Sequence, residues 1–470
     1  MMKSLSIAFV CSFTWFCSVA GSVNEAMSAE QVQKRNVLFL MSDDMRPVLG
    51  CYGHTIVESP NIDSLARVGV RFDRAYCQYP LCNPSRTSLL TGRHPTTTGV
   101  LNNVIDFRKN HPDWVSLPQL FRTNGYASLR CGKIFHGGID DALAWDQGGD
   151  APRPNHDDRK PVDNTSRIPQ SDRIVALKDD GQEHQDYRIG DTAIRYLKDY
   201  RDKPFFLCCG FTRPHSPPTA PQKIIDRYAA MNTPLPATFA AIPAAPANFP
   251  SISITANSDL FVKREASREE ATKMLQAYYA SVTWTDWNVG RVLKELDVLG
   301  LRQNTIVVFW GDHGYHLGEF GKWAKHGSLF ELGTRVPLIV SAPGMSGNGQ
   351  TVSSPVQTLD LYPTLCNLCG IAPPPGIEGH DLVPLLKNVN APWNYPAYSV
   401  AGTAAKLGVA VRTNQYRYAE WTNGKDGSML IVETIDANET NNLVGDPKYA
   451  DVVKVLSQLA KEHAKAISPK

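Results

Sequence analysis

Four short apolar runs in this chain break off on residues that together could handle an anion beside a metal ion. The run 36–41 leads to Asp43-Asp44, and 126–131 leads to Gly132-Lys133 with His136 three residues on. The run 205–210 leads to Arg213-Pro214-His215, and 305–310 to Gly311-Asp312-His313. Asp43, Asp44 and Asp312 supply hard anionic oxygens, which suit calcium or magnesium better than a soft metal. His313 is the odd member, because a ring nitrogen is a poorer calcium ligand than an oxygen. Lys133, Lys325 and Arg86 are cations of the kind that stabilise charge spreading over the oxygens of a group in transfer. His136 and His215 can accept or donate a proton around neutrality.

Taken singly, each feature has a plainer explanation. A polar strand end is usually just a loop, adjacent aspartates are often merely solvated, and a lone histidine is more often structural than catalytic. Their convergence needs a scaffold. Uninterrupted apolar runs of this length suit strands buried on both faces of a mostly parallel sheet. Helical spacing predicts helices over 60–68, 191–200, 273–299 and 361–369 between and after them. Strand and helix alternate, so the fold class is α/β, and in open α/β sheets the ligand site lies beyond the carboxyl ends of the strands. Segments 156–171 and 234–253 lack periodicity and read as long surface loops. Prolines at 373–375 and Ala391-Pro392 separate a large domain (34–385) from a tail (390–470). That tail predicts strands over 407–412, 416–422 and 429–434 and a last helix over 449–467, a small α+β subdomain.

Composition bounds the partners. The 470 residues carry a formal net charge of only +2, which gives no reason to expect nucleic acid. Lys3, an apolar stretch over 5–19 and Ser18-Val19-Ala20 before Gly21 read as an export signal over 1–20, with a secreted, periplasmic or lysosomal destination. That stretch is too short for a comfortable membrane span, and no later one is long enough, so no transmembrane segment is expected. Of ten cysteines, Cys11 and Cys17 would leave with the signal. Cys366 and Cys369 read as two buried thiols at a helix end capped by Gly370. No zinc-type quartet is visible.

Cys82 is different. Cys82-Asn83-Pro84-Ser85-Arg86, followed by Thr91-Gly92-Arg93, resembles the signature of the formylglycine-dependent sulfatases, whose cysteine is oxidised after translation. The strand ends resemble that family's elements in order, as do Trp323-Ala324-Lys325 and Asn438 to Leu443. Asp43-Asp44-Met45-Arg46-Pro47 near Gly50-Cys51-Tyr52-Gly53, with His313 where most members have asparagine, is most similar to the iduronate-2-sulfatase branch. The resemblance implies an alkaline-phosphatase-like sandwich and one metal ion, calcium rather than magnesium. Asp43, Asp44, Asp312 and the modified Cys82 would surround that ion, with His313 in or next to the shell. It also implies a formylglycine-generating enzyme as maturation partner and a sulfated carbohydrate as substrate. One hydroxyl of the hydrated aldehyde would attack sulfur, and the other would collapse to expel sulfate. His136 is then the base for that elimination, His215 and Lys325 stand on the leaving-group side, and Lys133 and Arg86 hold the anion.

Two other functions fit less well. A phosphoester or phosphonate hydrolase could share the fold and the formylglycine. A non-catalytic glycan-binding relative would be expected to have lost Cys82, Arg86, Lys133 or an aspartate, and all are present. Substrate contacts are expected from 94–111, 315–325 and the loops around His215, where Arg108, Lys109 and Lys322 would suit an acidic sugar.

Overall fold

The computed structural model describes residues 34–149 and 172–465; the export signal expected at 1–20 and the loop expected at 156–171 lie outside them. Its spine is a seven-stranded sheet. In chain order the strands are β1 (Asn36–Asp43), β2 (Val70–Phe72), β3 (Ala127–Gly132), β4 (Phe205–Pro214), β5 (Thr305–Gly311), β6 (Leu338–Ser341) and β7 (Thr351–Val352). They lie side by side as β7-β2-β6-β5-β1-β4-β3. β5, β1, β4 and β3 run parallel, and β6 is antiparallel to both its neighbours. The four parallel strands are the four apolar runs of the sequence, set next to one another. Their carboxyl ends therefore fall along one edge.

Every residue of β1 is buried, and its side chains divide between two cores by the two-residue period of a strand. Leu38 and Leu40 face α1 (Pro60–Arg67), α3 (Gln185–Asp199) and α4 (Arg268–Val298). Val37, Phe39 and Met41 face α2 (Cys82–Thr91) and α5 (Leu361–Leu368). A sheet buried on both faces under helices is a three-layer sandwich, and each such apolar side chain contributes about 1.5–3 kcal/mol. Helix α3 starts six residues before the periodicity suggests, because His184 Nδ1 accepts from Asp186 N (3.1 Å), a cap of unusual residue type. Helix α4 starts at a Ser267–Glu270 capping box.

The tail forms an antiparallel sheet of β8 (Ala397–Thr403), β9 (Lys406–Arg412), β10 (Tyr416–Trp421) and β11 (Ser428–Val432), packed against α6 (Ala450–Ala464) through Leu456 and Ala460. The sequence pattern misses β8. Its Ala397, Ala401 and Gly402 have little strand preference of their own, and pairing with β9 from Ala397↔Arg412 to Thr403↔Lys406 fixes it. Buried Arg417 of β10 joins this sheet to the rest, 2.9 Å from both Glu433 and Glu439 and hydrogen-bonded to Glu331. Cys366 is buried and Cys369 only partly so; the cysteines among the described residues are free thiols. Among those residues no helix is long and apolar enough to cross a membrane.

Candidate active site and metal centre

Adjacent residues of a strand point to opposite faces, so two consecutive aspartates would ordinarily diverge. Here β1 ends at Asp43 and Asp44 takes a left-handed backbone (φ 63°), a conformation aspartate tolerates better than most residues. Both carboxylates then reach the same site. Asp43 Oδ1 accepts from Cys82 Sγ (3.4 Å) and Oδ2 accepts from Lys133 Nζ. Asp44 Oδ2 accepts from Lys325 Nζ (2.7 Å) and lies 3.9 Å from His215 Nε2. Asp312, just past β5, accepts from the backbone nitrogens of Asp44 (3.1 Å) and His313 (3.0 Å) and from Arg86 Nε (2.9 Å).

The motif residues explain their own order. Cys82 opens α2, and Pro84 sits in the first turn, where backbone N–H groups have no helical partner to lose. Arg86 follows Cys82 by four residues and so shares its face of the helix. It also donates to the carbonyls of Lys133 (2.5 Å) and Ile134 (3.1 Å), with Nη2 3.8 Å from Asp43 Oδ1. Gly92 ends the helix at φ 65°, which only glycine adopts cheaply. At the end of β3, Lys133 N donates to Gly210 O (2.9 Å), and a Cβ on Gly210 would lie 1.9 Å from Lys133 O. Only glycine permits that approach.

Charge is balanced by burial and by pairing. Burial alone would raise the pKa of Asp43, but the Lys133 and Arg86 cations hold it well below the ordinary carboxylate value. Asp312 is raised, by burial and then by the Asp43 charge. Lys325 is lifted well above its usual value, because Asp44 and Asp259 outweigh its burial. The Cys82 thiol is pushed up by burial and by Asp43, so as an unmodified cysteine it stays protonated and is no nucleophile.

One donor atom from each of Asp43, Asp44, Cys82 and His313 lies within 4.8 Å of the others, and all four residues are buried. Two further observations fit a cation here. Asp44 Oδ1 is buried without a hydrogen bond, 3.3 Å from His313 Nε2. His313 Nδ1 sits 3.0 Å from the Gly314 carbonyl, which can only accept, so Nδ1 carries the proton and the Nε2 lone pair faces the carboxylates. Asp312 stands at the rim of the group, its Oδ2 3.6 Å from His313 Nε2.

A family model for the sulfatases matches residues 35–371, and one described as the C-terminal part of N-sulphoglucosamine sulphohydrolase matches 318–466. The chain belongs to the sulfatase family. It is a sulfuric ester hydrolase, and the family implies a formylglycine, a metal ion and a sulfated substrate. It is 32% identical to the mouse iduronate 2-sulfatase over 523 aligned positions, covering 92% of each chain. It is also 32% identical to an ulvan-active sulfatase of Formosa agariphila, over 94% of this chain and 83% of that one. The crystal structure of the phosphonate monoester hydrolase of Agrobacterium radiobacter superposes with a TM-score of 0.73 at 23% identity, covering 92% and 96%. The sandwich is thus the alkaline-phosphatase-like fold expected from the sequence.

The buried cluster gathers most of the sequence-predicted residues and adds one. Cys82, Arg86, Lys133, Lys325, His215, Asp43, Asp44, Asp312 and His313 meet as described. His136 is half-buried on the loop three residues beyond Lys133. Asp259 was not foreseen. It lies in an irregular segment with no strand before it and no motif around it, yet it reaches Lys325, Tyr315 and Ser216. Two expected substrate contacts are corrected. Arg108 is held by Asp141 at 3.0 and 2.7 Å. Lys322 Nζ is buried on Thr255 O (3.1 Å) and Oγ1 (2.9 Å), and burial lowers its pKa to about 8. Both are structural cations. Lys109 remains exposed.

Proposed function

We propose that this sulfatase removes sulfate from a sulfated carbohydrate, acting on chain ends in the manner of an iduronate-2-sulfatase, with a formylglycine made from Cys82 and a calcium ion. The observation that carries the reading is the buried Asp43, Asp44, Cys82 and His313 group ringed by three cations, Arg86, Lys133 and Lys325. Relatives named for iduronate and for ulvan match at equal identity, which supports a carbohydrate substrate.

Asp43, Asp44, His313 and the modified Cys82, with Asp312 at the rim, would hold the metal, which supplies a Lewis acid for the charge developing on oxygen. A formylglycine at Cys82, once hydrated, supplies a hydroxyl nucleophile and a second hydroxyl that drives sulfate out. Lys133, Lys325 and Arg86 hold the anionic sulfuryl oxygens. His215 Nδ1 lies 2.9 Å from the Ser216 carbonyl, which holds the Nδ1 proton, so Nε2 faces the site and, when the ring carries a second proton there, gives it to the leaving alcohol. His136 takes the proton from the second hydroxyl. The reading includes export through the N-terminal apolar segment to a secreted, periplasmic or lysosomal compartment, and modification of Cys82 by a formylglycine-generating enzyme.

The test is sulfate release from a panel of defined sulfated oligosaccharides by protein carrying the modified residue. Turnover of terminal 2-sulfated uronates is expected; activity confined to chain-internal sulfates overturns the exo-acting reading. The phosphonate hydrolase shares the fold, so an aryl phosphate is compared with an aryl sulfate. Much faster turnover of the phosphate would overturn the sulfate preference.

A further inference from the structure

We propose that Asp259 is a positioning residue that sets the leaving-group side of the site, holding Lys325 directly and His215 through Ser216. The proposal rests on the reading that His215 and Lys325 face the departing alcohol.

Asp259 lies in an irregular stretch between the short turn Ser251–Ser253 and α4, far in sequence from every motif. Its side chain is only 12% exposed, and both carboxylate oxygens are used. Oδ1 accepts from Ser216 Oγ. Oδ2 accepts from Tyr315 Oη (2.6 Å) and stands 3.8 Å from Lys325 Nζ. Ser216 in turn offers its carbonyl to His215 Nδ1. The result is a closed circuit: Asp259 to Ser216 to His215, whose Nε2 is 3.9 Å from Asp44 Oδ2, then Asp44 to Lys325 at 2.7 Å, and Lys325 back to Asp259.

Each link restricts a degree of freedom the reaction needs fixed. Lys325 carries a flexible four-carbon stem, and a carboxylate on either side of its ammonium limits where it can point. His215 sits on a loop, and its ring direction depends on where the Ser216 carbonyl is held. Burial would raise the pKa of Asp259, but Lys325 and His215 bring it below the ordinary carboxylate value, so it is an anion. Asp44 already serves the metal group. Asp259 is the second carboxylate beside Lys325, and it lies outside the Asp43, Asp44, Cys82 and His313 set. Its effect should therefore fall on the departure of the alcohol rather than on the metal.

The test uses full-length protein with formylglycine occupancy measured by tryptic mass spectrometry. Wild type, Asp259→Asn, His215→Ala and the double variant are assayed on 4-nitrophenyl sulfate and on the sugar sulfate the wild type turns over fastest. A nitrophenol leaves without help, whereas a sugar alcohol needs its proton. Asp259→Asn is expected to lower kcat on the sugar sulfate by about 10- to 100-fold, the usual effect of losing a supporting partner. The loss on the aryl sulfate should be far smaller, with KM little changed. In the His215→Ala background the same change should cost clearly less on the sugar sulfate than it does in wild type, only the part carried through Lys325, because the part carried through His215 is already lost. Equal losses on both substrates, or additive losses in the double variant, would overturn the proposal and leave Asp259 a structural brace. If His215→Ala alone harms both substrates equally, the role of His215 itself fails, and the positioning role with it. Should Asp259→Asn not fold, Ser216→Ala removes only the hydroxyl link and must show the same substrate-dependent loss. A flat response there refutes the link.

Discussion

Replacing Arg86 with methionine removes a guanidinium from between two buried carboxylates while keeping most of its volume. Arg86 and Asp312 are in contact at 2.9 Å and Asp43 lies at 3.8 Å, all with fully buried side chains. At an effective dielectric near 20, those separations correspond to about 6 and about 4 kcal/mol of gross attraction. Desolvation of the ions opposes most of it, so the expected net cost of breaking such an arrangement is about 3–5 kcal/mol. Unfolding entropy of roughly 2.1 cal/mol/K per residue gives about 1 kcal/mol/K for a chain this long. The melting temperature of metal-free protein should therefore fall by about 3–5 °C at neutral pH. The pH dependence has a definite sign. Asp43 has a depressed folded-state pKa, so its contribution is present above the ordinary carboxylate value and is lost as pH falls. The variant lacks one of the cations that depress it, so its deficit is full from pH 7 down to the ordinary carboxylate value and shrinks only below about pH 4. Scanning calorimetry of chelator-treated wild type and variant from about pH 3 to pH 7 reads this directly. A melting temperature within about 1 °C of wild type at pH 7, or a gap that widens on acidification, would refute the reasoning.

Cys82→Ala should abolish sulfatase activity, and tryptic mass spectrometry of protein made with the modifying enzyme should find an aldehyde at that position; full activity in the variant would sink the assignment. Elemental analysis should find one calcium per chain, lost when Asp44→Asn removes part of the donor set, whereas stoichiometric zinc would contradict a hard-donor site. His215→Ala should depress turnover of a sugar sulfate about 10²–10⁴-fold more than that of an aryl sulfate, the typical value of general-acid help. His136→Ala should lower kcat on both substrates alike, because its step follows departure of the alcohol; a loss confined to the sugar sulfate would exchange the two roles.

What the sequence determined by itself was everything written in short range. Apolar runs of strand length, the polar residues that stop them, and the Cys82-to-Arg86 spacing are local patterns. They gave the parallel strands, the edge where the site lies, and the residues gathered there. Only the tertiary structure decided which of those residues touch. Asp312, an obvious oxygen ligand in the sequence, is engaged by Arg86 and stands at the rim, while His313 turns Nε2 into the donor set because its Nδ1 proton is held by the Gly314 carbonyl. Arg108 and Lys322 look like substrate cations until Asp141 and Thr255 are seen to occupy them. Asp259 has no local signature at all, and its partners Ser216 and Tyr315 lie 43 and 56 residues away. The physical reason is the same in each case. Periodicity and capping are properties of neighbouring residues, whereas the partner of a charged side chain is set by which segments the packed layers bring within about 4 Å.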